Sequence, residues 1–378
     1  PHSGENVMEN IENSFIDPPN PRKDIEDLQP YSAPLEGRRN LLRLDFNENT
    51  IGPSPLVIKS LREISRDEIS VYPEYSGLKE KVVESLIKKN SNVNINSSEV
   101  GIFNGVDAAI NAIFHAYGNF DDLMLTTSPT FGYYTPCAQM RGMQIKAIPY
   151  EGGGFQYPFD SICEFLTQNN PKILLICNPN NPTGTRLSPE RIIEISKLSS
   201  KTLVVVDELY EAFTGDSVLP FVNFQTTPNL VVLRSLSKTA GLASLRIGFA
   251  IGHSKVINIV NRVTGPYDVN SFAVIAAFAA LKDQSYIDSY VQEVLEARNW
   301  IKDQFEKHHV KHHIDGGNYF LLWPKSKPQQ VEQKLKSSGI LIRNMDKKKN
   351  LKGSIRVSIG TIDQMKRFWS AFRIVDEV

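Results

Sequence analysis

The sequence predicts an α/β protein: a large domain on a mainly parallel sheet, followed by a smaller α+β domain. Three observations carry this. Compact apolar runs ("PKILLICN", "KTLVVVDE", "NLVVLRS", "RIGFAIG") lack polar alternation and suit strands buried on both faces. Segments with helical spacing lie between such runs, the order that puts helices over both faces of a parallel sheet. After Gly265 the texture changes to a long helical stretch and then short strands.

The elements follow in order. Residues 1–40 are rich in Pro, Asn and charge and read as an N-terminal arm, with one short helix at Ile25 to Leu28. Residues 41–70 carry the arm into a small-domain segment and crossover. Residues 71–265 form the large domain. "GLKEKVVESLIKK" has helical spacing, "EVGIF" is a short strand, "GVDAAINAIFHAYG" a helix and "DDLMLTT" a strand. "FGYYTPCAQMRG" is a helix, "QIKAIPY" a strand, and Gly152 to Gly154 a turn. "SPERIIEISKLSS" begins with Ser188 as N-cap and Pro189 at the first helical position. Residues 266–378 form the small domain. A helical stretch covers Ser271 to His308, "NYFLLWP", "ILIRNM" and "SIRVSIG" are strands, and "PQQVEQKLKSSG" is a helix closing on Gly339.

Composition excludes several classes. Hydrophobic residues make up 41% and charged residues 22%, as in a globular chain. Lys+Arg and Asp+Glu are equal at 42 each, which removes the broad electrostatic case for nucleic-acid binding. Cys137, Cys163 and Cys177 form no CxxC pair, and an odd count argues against a disulfide framework, so a reducing, cytoplasmic setting is expected. The apolar run Phe272 to Leu281 is too short to cross a bilayer, and the first thirty residues or so lack the apolar segment of a signal peptide. GxGxxG is absent, which removes a nicotinamide dehydrogenase. A ligand-sensing regulator needs a helix-turn-helix ahead of the domain, and the arm shows no pair of amphipathic helices. His308 and His312, like His309 and His313, have helix-face metal spacing. No Cys or carboxylate completes a site, so the tract reads as a solvated helix end, with no metal expected.

In open α/β sheets, ligands sit beyond the C-terminal strand ends. "EVGIF" is followed by Asn104-Gly105-Val106-Asp107, "PKILLIC" by "NPNNPTG" with Asn181, "KTLVVV" by Asp207 and Tyr210, and "NLVVLR" by Ser235, Ser237 and Lys238. Each alone has an ordinary reading as a cap, a turn or a solvated charge. Together they fit pyridoxal 5'-phosphate, which needs a lysine for a Schiff base, an acid for its ring nitrogen and a phosphate cradle. Helix-start N–H groups at Val106 and Asp107, the hydroxyls of Ser235 and Ser237, and Arg246 would form that cradle.

The chain resembles fold-type I pyridoxal-phosphate enzymes of the class I/II aminotransferase family, and more narrowly the histidinol-phosphate aminotransferases. The matching segments are collinear from Leu28 to Thr361: "LQPYSAP", "LDFNENTIGPSP", "VYPEY", "NGVD", "SPTFGYY", "NPNNPTG", "VVVDELYEAF", "SLSKTAGLASLRIG", "GPYDVN" and "SIRVSIGT". The resemblance implies an aspartate aminotransferase-like fold. Lys238 would carry the Schiff base and shuttle a proton. Asp207 would pair with the ring nitrogen, and Tyr210 and Asn181 with the phenolic oxygen. Phe131 would stack on the ring; core packing is its rival reading. Tyr72 would reach the cofactor phosphate of a neighbouring subunit, which implies a homodimer. Arg356, Arg343, Tyr31 and Asn49 would bind a substrate with an anionic tail.

The implied activity is amino transfer from an anion-bearing amino substrate to 2-oxoglutarate. Three positions depart from the family pattern: Thr50 replaces proline, Ala108 an acidic residue, and Ser244 glycine. An alternative is therefore kept, a cyclase, lyase or decarboxylase acting on a free amino acid, for instance an arginine-derived one, since the cofactor is the electron sink in every case.

Overall fold

The computed structural model describes residues 16–31, 33 and 36–378. Strand β1 (Leu42–Arg43) comes first. Strands β2 (Val100–Phe103), β3 (Leu123–Ser128), β4 (Gln144–Pro149), β5 (Ile173–Cys177), β6 (Leu203–Asp207), β7 (Leu230–Ser235) and β8 (Gly248–Gly252) form one seven-stranded sheet. Its order is β2-β8-β7-β6-β5-β3-β4. Strand β8 runs antiparallel to β7 and β2, and the other neighbours pair in parallel.

Every residue of β5, β6 and β8 is buried, as unbroken apolar runs require. Side chains alternate between the faces. Leu174, Ile176, Val204, Val206 and Val232 face one helical layer with Val57, Leu78 and Ile192. Ile173, Leu175, Val205, Val231 and Leu233 face the other, with Ile110, Phe114 and Cys137. Ser188 caps the helix Pro189–Lys197 by accepting from Arg191 N at 3.3 Å, with Pro189 at its first turn. Residues 152–154 lie in a turn.

The smaller unit holds β9 (Lys311–His313), β10 (Tyr319–Trp323), β11 (Ile340–Leu341), β12 (Arg343–Asn344) and β13 (Ile355–Ser358). Four strands form a sheet in the order β12-β13-β10-β9, and β1 pairs in parallel with β11. Helices Gln284–Lys307, Pro328–Ser337 and Ile362–Val375 supply Phe305, Val331, Phe368 and Trp369 to its core, where Leu42 and Leu44 join them. The last helix opens with a capping box, Thr361 to Gln364, a start signal readable from sequence alone.

Several expectations are revised. The arm helix is Lys23–Glu26, two residues earlier than the apolar pattern placed it. Much of the arm, residues 1–15, lies outside the described residues. The helical stretch after Gly265 is two helices, Ser271–Lys282 and Gln284–Lys307, broken at Asp283, whose carboxylate accepts from the Ser54 hydroxyl. The first of the two belongs to the large domain's core: Ala273, Val274, Ala276 and Ala277 pack with Val57 and Leu78. Ile287, at the start of the second helix, packs into the same cluster. "ILIRNM" is divided between two sheets at Ile342.

The histidine tract is not one helix end. The helix stops at Lys307, and His312 and His313 lie on edge strand β9 paired to β10. The i,i+4 spacing thus never shares a helix face. Among the described residues no cluster of His, Cys, Asp or Glu could hold a metal ion.

Candidate active site

Strands β5, β6 and β7 end at one rim, and β2 ends there too, two places away. Because β8 is antiparallel, its start, not its end, reaches this rim and brings Arg246 with it. A cavity of about 380 Å³ lies there, walled by both domains and by Tyr31 and Ala33 of the arm. Of the residues singled out in the sequence, Tyr31, Val106, Asp107, Phe131, Asn181, Tyr210, Ser235, Ser237, Lys238, Arg246, Arg343 and Arg356 line it.

Asp207 ends β6 and is 2% exposed. It lies just behind the wall. Oδ2 accepts from the Tyr134 hydroxyl at 2.6 Å, and Oδ1 from Leu209 N at 3.2 Å. Burial pushes its pKa up to about 6, and the Tyr134 bond pulls it down. The acid is held ready for a positively charged partner.

Lys238 follows β7 and is half-buried. Its Nζ donates to the Phe46 carbonyl at 2.7 Å and sits 6.0 Å from the centre of the Tyr210 ring. Burial and then the nearby Arg356 charge lower its pKa to about 8, so a useful fraction is free amine near neutrality.

A phosphate-sized cradle lies beside it. The helix Val106–Tyr117 starts with Gly105 at φ +87° and no side-chain cap, leaving its first N–H groups for an anion. A Cβ on Gly105 would stand 2.8 Å from the Arg246 guanidinium, so glycine keeps that guanidinium close to the helix start. Arg246 is a non-glycine residue at φ +58°, and its Nη2 lies 3.5 Å from Asp107. Ser235 Oγ accepts from Ser237 N at 2.9 Å. Burial raises the Asp107 pKa.

Tyr210 is buried, and its hydroxyl accepts from Asn181 Nδ2 at 3.4 Å and from Asn47 Nδ2 at 3.3 Å. Asn181 Oδ1 accepts from Arg356 Nη1 at 2.8 Å. Arg356 is 5% exposed, also donates to the Asp45 carbonyl, and leaves Nε with no partner among the described residues. Arg343 faces Arg356 directly across β12–β13, and its guanidinium lies 5.3 Å from the centre of the Phe46 ring. Phe131 packs edge-on against Tyr134 (5.4 Å between centroids) and Tyr31 (6.2 Å).

Two expected residues stand elsewhere. Asn49 does not line the cavity: its side chain is consumed by Thr239 O, Ile51 N and Gly52 N, which fixes a turn. Tyr72 is 72% exposed, outside the wall, and stacks on Tyr267 at 4.5 Å. Of the three departures from the family pattern, Thr50, Ala108 and Ser244 all stand off the cavity wall. Sequence reasoning missed Tyr134, Asn47, Phe46 and Lys348. Tyr134 was readable only as a helix residue, and Phe46 acts through its carbonyl, which residue identity does not reveal.

The donor set fits pyridoxal 5'-phosphate. An uncapped helix start, two serines and an arginine suit the phosphate. A buried acid suits the ring nitrogen, an amine near neutrality the carbonyl, and Tyr210 with Asn181 the phenolic oxygen.

The comparisons with known proteins agree. Residues 39–372 match the family model for aminotransferase class I and II. A histidinol-phosphate aminotransferase of Clostridium novyi is 30% identical over 351 residues, covering 91% of this chain and 93% of that protein. A dihydroxyacetone phosphate transaminase of Campylobacter jejuni is 33% identical over 359 residues, covering 91% of this chain and 94% of that protein. Among solved structures, the histidinol-phosphate aminotransferase of Sinorhizobium meliloti in complex with pyridoxal 5'-phosphate shares the fold with a TM-score of 0.79 at 21% identity, covering 90% of this chain and 92% of that one. A lysine at a β-strand end, an acid buried behind it and an anion cradle beside it therefore have one shared explanation: the chain belongs to the class I and II aminotransferase family and is a pyridoxal-phosphate-dependent enzyme.

Proposed function

We propose that the enzyme transfers an amino group from an anion-bearing amino substrate of the histidinol-phosphate type to 2-oxoglutarate. The observation that carries this is the pair Arg343 and Arg356, opposite each other across β12–β13 and lining the cavity that holds Lys238. Histidinol phosphate and dihydroxyacetone phosphate, named for two of the relatives, are both phosphate esters.

In this reading Lys238, on the cavity wall, would hold the cofactor at its carbonyl and move the proton at the substrate Cα. Bound here, pyridoxal phosphate supplies the electron sink for bonds at that carbon. Asp207 holds a proton on the ring nitrogen, and Tyr210 and Asn181 orient the phenolic oxygen. Arg356 and Arg343 fix the substrate's anionic groups with planar guanidinium forks. Tyr31, carried by the arm, packs edge-on against Phe131 at the cavity wall. We place Tyr72 at a homodimer interface, supported by the exposed apolar side chains of Ile69, Val71, Tyr72 and Tyr267 in one region of sequence and stacking.

The test is a half-reaction. The holoenzyme is mixed with histidinol phosphate or glutamate and no keto acid, and its absorbance is followed. Conversion to the aminated cofactor by both supports transamination; failure of both to convert it overturns this reading.

A further inference from the structure

We infer that Lys348 completes, with Arg343 and Arg356, a site for a doubly charged anion, the phosphate monoester end of the amino substrate. This rests on the reading of an anion-bearing substrate and adds a specificity-determining residue to it.

Lys348 sits in the turn between β12 and β13, where its N donates to Met345 O at 3.0 Å and its carbonyl accepts from Leu351 N at 3.1 Å. The half-buried side chain lines the cavity. It reaches over the loop before the Tyr134 helix: a Cβ on Gly132 would lie 3.2 Å from Lys348 Nζ and 3.3 Å from the Tyr31 ring. Glycine at that position leaves room for both the small domain's lysine and the arm's tyrosine.

The cations have no acid of their own. Among the described residues, no carboxylate lies within ion-pairing distance of Arg343, Lys348 or Arg356. The contrast is with Arg186 and Arg246, each paired with one carboxylate, and with Arg38 and Arg234, each paired with two. Glu48, on the same wall, is taken by Arg38. Like charges directly opposite on paired strands are unfavourable, and Arg343 and Arg356 are such a pair. The Arg356 Nε, buried and unpartnered, is a donor without an acceptor. Burial, then Arg343 and Arg356, push the Lys348 pKa down, the mark of a cation short of counter-charge.

A carboxylate has two oxygens and one charge, which a single arginine fork satisfies. A phosphate monoester carries about −1.5 to −2 charges near pH 7 and three terminal oxygens. That matches three cationic donors on separate elements.

The experiment measures binding of inorganic phosphate and of glutarate to the holoenzyme, in which the cofactor's own phosphate fills the cradle, through the change in cofactor absorbance. In the wild type phosphate should bind more tightly than glutarate. Lys348→Gln should weaken phosphate about ten-fold, the loss typical of one hydrogen bond to a charged group, and weaken glutarate less than about two-fold. Lys348→Arg should restore most of the phosphate affinity, which a merely structural role for the turn would not predict. Equal weakening of both anions, unchanged phosphate binding in Lys348→Gln, or a wild-type preference for glutarate each overturns the assignment. Binding is read without turnover, so a failure of the half-reaction with histidinol phosphate counts against the proposed activity and not against this site.

Discussion

The hydroxyl of Tyr134 donates a 2.6 Å hydrogen bond to Oδ2 of Asp207, with both side chains sealed behind the cavity wall. Burial drives this carboxyl toward its neutral form, and the phenol opposes that. Tyr134→Phe should raise the Asp207 pKa further and weaken its hold on a protonated ring nitrogen. The expected loss is about 1–2 kcal/mol, roughly ten-fold in cofactor affinity. Titration of apoenzyme with pyridoxal phosphate, followed by absorbance, checks it.

The same group governs apoenzyme stability. Its folded pKa, about 6, lies above the ordinary carboxylate value. Between about pH 4 and pH 6 the folded state binds more protons than the unfolded state, so this residue's contribution falls as pH rises. Asp207→Asn should remove that slope and stabilise the apoenzyme above about pH 6 by roughly 2–3 kcal/mol. Melting temperatures of the two apoenzymes across this range are the measurement. A parallel pair of profiles contradicts it.

Lys238 titrates near pH 8 because of burial and the Arg356 charge. The free amine attacks, so the rate at which apoenzyme captures pyridoxal phosphate should rise through about pH 8 and then level off. Arg356→Gln removes a like charge, raises the lysine pKa and should move the profile to higher pH. Lys238→Ala should retain no cofactor after borohydride reduction and denaturation. Stopped-flow absorbance and mass spectrometry report these outcomes.

Gly105→Ala introduces a side chain at φ +87° and 2.8 Å from the Arg246 guanidinium. Strain should cost about 1–2 kcal/mol of stability. Displacing Arg246 from the helix start should also weaken cofactor phosphate binding, whereas free pyridoxal, lacking the phosphate, should bind as before. Denaturant unfolding and the two cofactor titrations separate the effects.

If Tyr72 serves the neighbouring subunit, two defective proteins should complement each other. Mixing Lys238→Ala with Tyr72→Ala after mild dissociation should restore up to about a quarter of wild-type activity, since hybrid dimers contain one intact site. No recovery from stably formed hybrids removes Tyr72 from the site.

Much of the site was legible because its chemistry is carried by residue type at strand ends. Lys238, Asp207, Asn181 and the helix start at Val106 each follow an apolar run, and buried strands of a parallel sheet end on one rim. Substrate contacts were less legible. Asn49 reads as a binding residue in "FNEN", but local turn bonds consume its amide, and Asn47 is the neighbour that reaches Tyr210. Lys348 sits among three consecutive lysines, and only the turn between β12 and β13 selects the one that enters the cavity.

The sequence by itself determined the parallel core, the placing of a lysine and an acid after its apolar runs, and the family, because burial periodicity and side-chain chemistry are local properties. The tertiary structure decided what depends on strand direction and register. Antiparallel β8 brings Arg246 to the rim by its start. The β12–β13 register sets Arg343 against Arg356, and the helix Ser271–Lys282 packs with Val57 and Leu78. These are choices of pairing between distant segments, settled by which hydrogen bonds and apolar faces are satisfied together, and no single stretch of residues contains them.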